Sequence, residues 1–448
     1  MHFIMMKNMI LAGCAIAAFA GQIAAQSQFI TLEQAIDKAL AHNYDLKSQV
    51  VKGALADNEL AKSKAARMPK VTLDGDLRFN PLLQTSIIPG AAFTPPGQPE
   101  EADREVKFGT LFNAALGVNA TYSLWDPAYE TTIAIQQEQR QLEATSLQRQ
   151  TLDVKLLAAE AFYAVVLQQE QEALARGRVQ RARDLRDVAR QRYEQGAALA
   201  IDVQKGELDV QTAEAALAQT INNLRRSRLQ LARLTGIPAD VLPAPAPLDT
   251  LQLPLDLPKL QDAAAMAANR LEIKAEQHQL AVNQQQQVLE TKKYLPRIDL
   301  YGNLSLQHLS NDFAVWERWF PFAYAGLRSS FTIYDGQLKA RNRENYQLRS
   351  LINQYNLNRL QEDLSYEIES AAIDLDNAVE QYQTARLTLN NAREVAMVDQ
   401  IRYQEGKLPF SEWRNTEFSL REAESQLAGS LQQLLIAQLK WKKASGNL

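Results

Sequence analysis

Two apolar periods alternate along this chain. Over most of its length Leu, Ile, Val and Ala return every three or four residues between Gln, Glu, Arg and Lys, the spacing of helices. In four places the period drops to two. Val71, Leu73, Gly75, Leu77 and Phe79 alternate with Thr72, Asp74, Asp76, Arg78 and Asn80, and Phe112 to Tyr122 behaves in the same way against Asn113 to Thr121. Ile298, Leu300, Gly302, Leu304 and Leu306 oppose Asp299, Tyr301, Asn303, Ser305 and Gln307, and a fourth run passes through Ala323, Ala325, Leu327, Ser329, Phe331 and Ile333. These predict strands at about 70–80, 111–124, 297–307 and 322–334, each with one apolar and one polar face.

The helices predicted between them differ in length. Thr31-Leu-Glu-Gln34 has the capping-box spacing, and the helix it opens runs to about Arg67, where Pro69 stops it. Its counterpart begins near Lys259 and stops at Pro296. From Asp126-Pro127 to Tyr193, and again from Asp335-Gly336 to Tyr403, the helical period continues unbroken, for roughly 100 Å each at 1.5 Å per residue. Thin apolar seams between polar faces suit a coiled-coil wall wetted on both sides. Half-length helices follow, from Ile201 to about Leu234 and from Phe410 to about Lys443. Two short helices stacked end to end would flank a long one.

Arg192-Tyr193-Glu194-Gln195-Gly196 and Arg402-Tyr403-Gln404-Glu405-Gly406 close the two long helices, about 210 positions apart. Gly accepts the left-handed position that ends a helix, and Pro409 is tolerated at the start of the next. The period is about half the chain, so the order helix, strand pair, long helix, turn, half helix reads as a duplication. The domains predicted are a signal over 1–25, a first repeat over 26–236, a Pro-rich connector over 237–258 and a second repeat over 259–448. Matching the repeats leaves about eighteen extra residues in Pro81–Lys107, predicted to be a long surface loop.

Composition removes several function classes. With 46% hydrophobic and 22% charged residues the chain is neither disordered nor a helical membrane protein, and a net charge of -4 without a basic patch argues against nucleic acid. Lys7, an apolar run from Met9 to Phe19 and small residues near Ala20 and Ala25 read as a secretory signal, cleaved after Ala25, with Ala20 as the alternative. Cys14, the one cysteine, lies inside it. Leu11-Ala12-Gly13-Cys14 looks like a lipobox, but the apolar core before it is short, which favours cleavage over lipidation. The four histidines have no ligand spacing, and there is no phosphate loop or nucleophile elbow, so neither an enzyme nor a cofactor or metal is expected.

Strands of about ten residues match a tilted crossing of an outer membrane. Half-buried strands of an ordinary antiparallel sheet alternate equally well. The secretory signal, the flanking helices and the aromatics Trp316, Trp319, Phe320, Phe322 and Tyr324, placed where an interfacial girdle would sit, favour a barrel.

With Met68-Pro69-Lys70-Val71 and Leu295-Pro296-Arg297-Ile298 entering strands, and Leu124-Trp125-Asp126 and Ile333-Tyr334-Asp335-Gly336 leaving them, this duplicated order resembles the outer-membrane efflux protein family typified by TolC. The resemblance implies a mainly α fold with a transmembrane β-barrel contribution: a homotrimeric α/β-barrel channel-tunnel in the outer membrane, its helices in the periplasm. It further implies passive export, in a tripartite efflux or type I secretion system, of substrates handed over by an RND or ABC inner-membrane pump and a periplasmic adaptor. By the same resemblance Tyr193, Gly196, Ala197, Tyr403, Gly406, Lys407 and Leu408 form tip turns where the adaptor docks. Asp202, Glu412 and Asn415 fall where the family narrows its periplasmic entrance. An acid in a first helical turn also simply complements the helix dipole. The competing expectation is a non-conducting structural coiled-coil protein of the envelope.

Overall fold

The computed structural model describes residues 29–92, 95, 97–98, 102–245, 263–313 and 317–446. The signal, Cys14, Trp316 and most of the connector lie outside these. In chain order the elements are β1 (Phe29–Ile30), α1 (Leu32–His42), α2 (Tyr44–Ala65), β2 (Lys70–Phe79), β3 (Gln84–Ile88), β4 (Arg104–Phe108) and β5 (Phe112–Trp125). Then come α3 (Tyr129–Glu194), α4 (Ala200–Thr235), β6 (Ala244–Pro245), α5 (Ala263–Ala268), α6 (Leu271–Lys292), β7 (Arg297–Ser310), β8 (Phe320–Ser330), α7 (Leu338–Gln404) and α8 (Phe410–Ser445). The long helices α3 and α7 have 66 and 67 residues.

The described residues fall into two compact units. One draws on the described parts of 29–52, 143–276 and 356–446, the other on those of 53–142 and 277–355. In the first, helices meet along thin seams rich in alanine. Ala35 of α1, Ala161, Phe162 and Val165 of α3 and Leu231 of α4 form one cluster, and Leu375 and Val379 of α7 with Leu434 and Leu435 of α8 form another. Alanine at a seam lets two backbones approach closely. No described helix is long and apolar enough to cross a membrane.

The second unit holds a four-stranded antiparallel sheet in the order β2-β5-β7-β8. Its register puts Leu73, Val118, Leu304 and Ala323 in one row, and Asp74, Gly117, Ser305 and Phe322 in the next. One face is thus apolar and the other largely polar, as the alternation requires. Across the polar face Asn303 donates to Asn119 at 2.7 Å, and Asn119 donates in turn to Asp74.

Several expectations change. The helix from Thr31 does form its capping box, but it breaks at Asn43, which is extended (ψ 119) and accepts the Leu46 N–H at 2.8 Å. An Asn inside a helical period is a competing cap. The predicted start near Lys259 lies outside the described residues, and the counterpart helix is interrupted between Ala268 and Leu271. The loop Pro81–Lys107 contains a hairpin, β3 pairing with β4 from Gln84↔Phe108 to Ile88↔Arg104. The fourth strand ends at Ser330, opposite Arg297, short of Phe331 and Ile333. Its partner strand cannot reach further because Pro296 has no N–H to give. Finally, Phe320, Phe322 and Tyr324 pair with Gln307, Ser305 and Asn303 and therefore stand on the polar face, where a lipid girdle cannot be.

Close approach at one glycine tests this register. A Cβ on Gly117 would lie 2.8 Å from the Ser305 Cβ, whereas one on Gly75 would meet only Leu116 Cδ1 at 3.8 Å. Gly117→Ala should cost about 1–3 kcal/mol and lower the folded yield, Gly75→Ala should not, and Ser305→Gly should rescue the first. Denaturation of the purified variants checks all three.

Candidate functional site

Both long helices end in the same way. Ala197 donates to the Arg192 carbonyl at 2.7 Å and Gly196, at φ 73, to that of Tyr193 at 2.9 Å. Lys407 and Gly406 (φ 79) repeat the pair on Arg402 and Tyr403 at 2.8 and 3.0 Å. Each is a Schellman end, whose left-handed residue is best supplied by glycine.

The helices that follow start differently. Leu199 caps α4 with no side-chain hydrogen bond of its own, and the Asp202 carboxylate reaches back to its N–H at 3.4 Å. Pro409 caps α8 and has no N–H to offer, so Glu412 has no such contact and is exposed, as is Asn415. The two acids that the sequence aligns are therefore unequal: one supports its helix start, the other is free for solvent.

The tyrosines are unequal too. Tyr193 is 48% exposed and Tyr403 1%. The Tyr403 ring lies 4.5 Å from that of Trp413 and 6.0 Å from that of Phe410. Above it sits the Arg192 guanidinium, 4.9 Å from the ring centre, which also donates to the Tyr403 carbonyl at 3.0 Å. Leu185, Ala189, Val188 and Leu408 complete the cluster. Arg192 belongs to the first repeat and Tyr403 to the second, so the duplicated turns interlock rather than stand as equals. Trp413 supports the buried tyrosine. The Tyr403 hydroxyl and Trp413 Nε1 are buried without hydrogen-bond partners. Burial pushes the Tyr403 phenol up from its ordinary pKa; the nearby Asp202 charge adds to this and Arg192 opposes it.

A cavity of about 410 Å³ separates the turns, lined by Arg192, Gly196, Ala197, Asp202, Tyr403 and Leu408 among others. Of the residues singled out from sequence, Tyr193, Gly406, Lys407, Glu412 and Asn415 stand outside it. Lys407 pairs with Glu405 at 2.7 Å.

Behind the tip, ion pairs tie the repeats together. Arg414 of α8 makes a bidentate pair with Asp209 of α4, at 2.6 and 2.9 Å. Glu424, 3% exposed, accepts from Arg178 at 2.8 Å and Arg181 at 3.0 Å, both on α3. Sequence reasoning passed over these residues, yet one signal was present. Glu424 stands in a seam with Leu420, Leu427 and Leu431, where a carboxylate must find partners.

A family model described as "Outer membrane efflux protein" matches residues 35–237 and 264–447. Among solved structures, CusC is 14% identical with a TM-score of 0.76, covering 95% of each chain. VceC of Vibrio cholerae is 14% identical with a TM-score of 0.72, covering 93% of this chain and 96% of that one. The Campylobacter jejuni CmeC outer membrane channel is 15% identical, also at 0.72, covering 93% and 85%. No curated protein sequence matches.

The buried phenol yields a direct expectation. Tyr403→Phe removes a hydroxyl that has no partner and should leave stability unchanged or raise it, whereas Tyr403→Ala should cost about 3–5 kcal/mol. Thermal unfolding followed by circular dichroism separates the two.

Proposed function

Because this chain belongs to the outer membrane efflux protein family, we propose that three copies form the outer duct of a tripartite efflux or type I secretion system. Substrates would enter from an RND or ABC inner-membrane pump through a periplasmic adaptor and leave passively. The chain is an efflux channel of the outer membrane, not an enzyme, with helices that extend into the periplasm.

The observation that carries the assembly is the sheet's two free edges. Among the described residues β2 and β8 each have one partner strand. In hydrocarbon an open edge leaves backbone donors and acceptors unsatisfied, so each edge needs another copy. Eight strands give a barrel filled by its own side chains, and twelve give a wider one. With the apolar face toward lipid, the face carrying Asp74, Asn119, Asn303 and Arg328 lines the pore.

We assign the adaptor contact to Tyr193, Gly196, Ala197, Tyr403, Gly406, Lys407 and Leu408, and the entrance charge to Asp202 and Glu412. Three Glu412 carboxylates around an aqueous mouth would favour cations and retain part of their field across a Debye length of about 8 Å. The uncharged Asn415 adds none. Asp202, partly engaged with Leu199, contributes less. The Arg192–Tyr403 and Asp209–Arg414 contacts hold the two helix pairs of one copy together.

Two measurements test this reading. Leu304→Arg, on the apolar face at the middle of β7, should cost about 2–4 kcal/mol per copy and lower trimer yield, while Gln307→Arg on the polar face should not. Equal yields by detergent sizing would argue against this assignment of the faces. In planar bilayers, divalent cations on the periplasmic side should block current, more at low salt. Glu412→Gln should remove most of that block and Asp202→Asn little; unchanged block in the double variant would move the constriction elsewhere.

A further inference from the structure

We infer that the polar face of the four-stranded sheet carries a binding strip for planar aromatic solutes, built from Phe320, Phe322 and Tyr324 of β8 beside Tyr301 of β7. This rests on the channel reading, which puts that face on the pore, and it names a class of solute that the pore would retain in passing. Strand alternation calls for polar residues at these positions, as at Thr72, Asn119 and Asn303 in the row of Tyr324. Instead three rings follow one another at every second residue, and Phe320, Phe322 and Tyr324 are 47%, 50% and 46% exposed. Nothing within the copy buries them.

Three of the rings, Phe322, Tyr324 and Tyr301, form a connected group. Phe322 and Tyr324 have centroids 5.6 Å apart, and Tyr324 and Tyr301 5.9 Å, within the range of ring pairs. Tyr301 lies across the strand at Gly326, where a Cβ would come within 3.0 Å of its hydroxyl, so the glycine creates the space for the ring. Arg328 stacks over Tyr301 at 4.8 Å. Side chains thus already use these ring faces as the strip would use a solute's.

Free carboxylates do not provide the selection. Asp76 is paired with Arg78 and Asp299 with Arg297, each at 2.9 Å, and Asp74 accepts from Thr72 and Asn119. The carboxylates of this face are engaged, and the exposed rings are what a passing solute meets. A lipid girdle would need the same rings on the opposite face. In a closed barrel the β8 edge meets β2 of the next copy, which would repeat the strip at each junction.

The test is blocking of single-channel current through the purified full-length assembly by two matched pairs: ethidium against a polyamine, and naphthalene sulfonate against an alkyl sulfonate. In each pair the aromatic member should block for longer, whatever its sign. Joint Phe320→Ser, Phe322→Ser and Tyr324→Ser should shorten that block about tenfold, the scale of losing two or three ring pairs, with open-channel conductance retained. Phe322→Trp alone should preserve or lengthen it. Equal block by ring and chain, selection by sign alone, or unchanged block in the triple variant would each overturn the strip. An assembly that passes no current would instead count against the channel reading.

Discussion

The constraint on which the rest of this structure depends is that a backbone N–H or C=O cannot be left unpaired in hydrocarbon. One copy folds four strands and stops, leaving β2 and β8 each paired on one side. A soluble protein could blunt such edges with charge or a covering loop. An outer-membrane channel has to complete them with further copies, and assembly then becomes a condition of the fold rather than an addition to it. The two faces of the sheet also differ, one apolar and the other joined across its strands by the Asp74–Asn119–Asn303 hydrogen bonds.

Helix packing in the other unit depends on close approach rather than on bulk. Its clusters draw heavily on alanine, and Gly206 of α4 comes so near α3 that a Cβ there would stand 3.1 Å from the Arg186 Cα. Such thin seams bury little apolar surface per residue. Ion pairs supply direction where apolar contact is narrow: Glu424 between two arginines and Arg414 on Asp209 fix α8 against α3 and α4. Of these residues only Glu424 is fully buried, and there desolvation offsets much of the attraction.

Duplication gave the chain two copies of each part, and the copies have since taken different work. The glycine geometry of the two turns is the same, but one tyrosine is half exposed and the other is enclosed by an arginine from the opposite repeat. The acids six residues beyond each glycine diverge as well, because Leu199 offers an N–H to Asp202 whereas Pro409 offers none to Glu412.

Periodicity in the sequence determined the number of long helices, the four strands and their faces, both helix-ending turns and the duplication, since each follows from contacts within a few residues. Even the capping box at Thr31 was legible. Tertiary structure decided what depends on neighbours distant in sequence. The strand register ended β8 at Ser330 and moved the aromatics from an expected girdle to the polar face. Packing between repeats chose which tyrosine to bury, and a local cap at Asn43 divided a helix that period alone would continue. A side chain's period fixes its face relative to its own strand or helix. What that face meets is fixed only when another part of the chain arrives there.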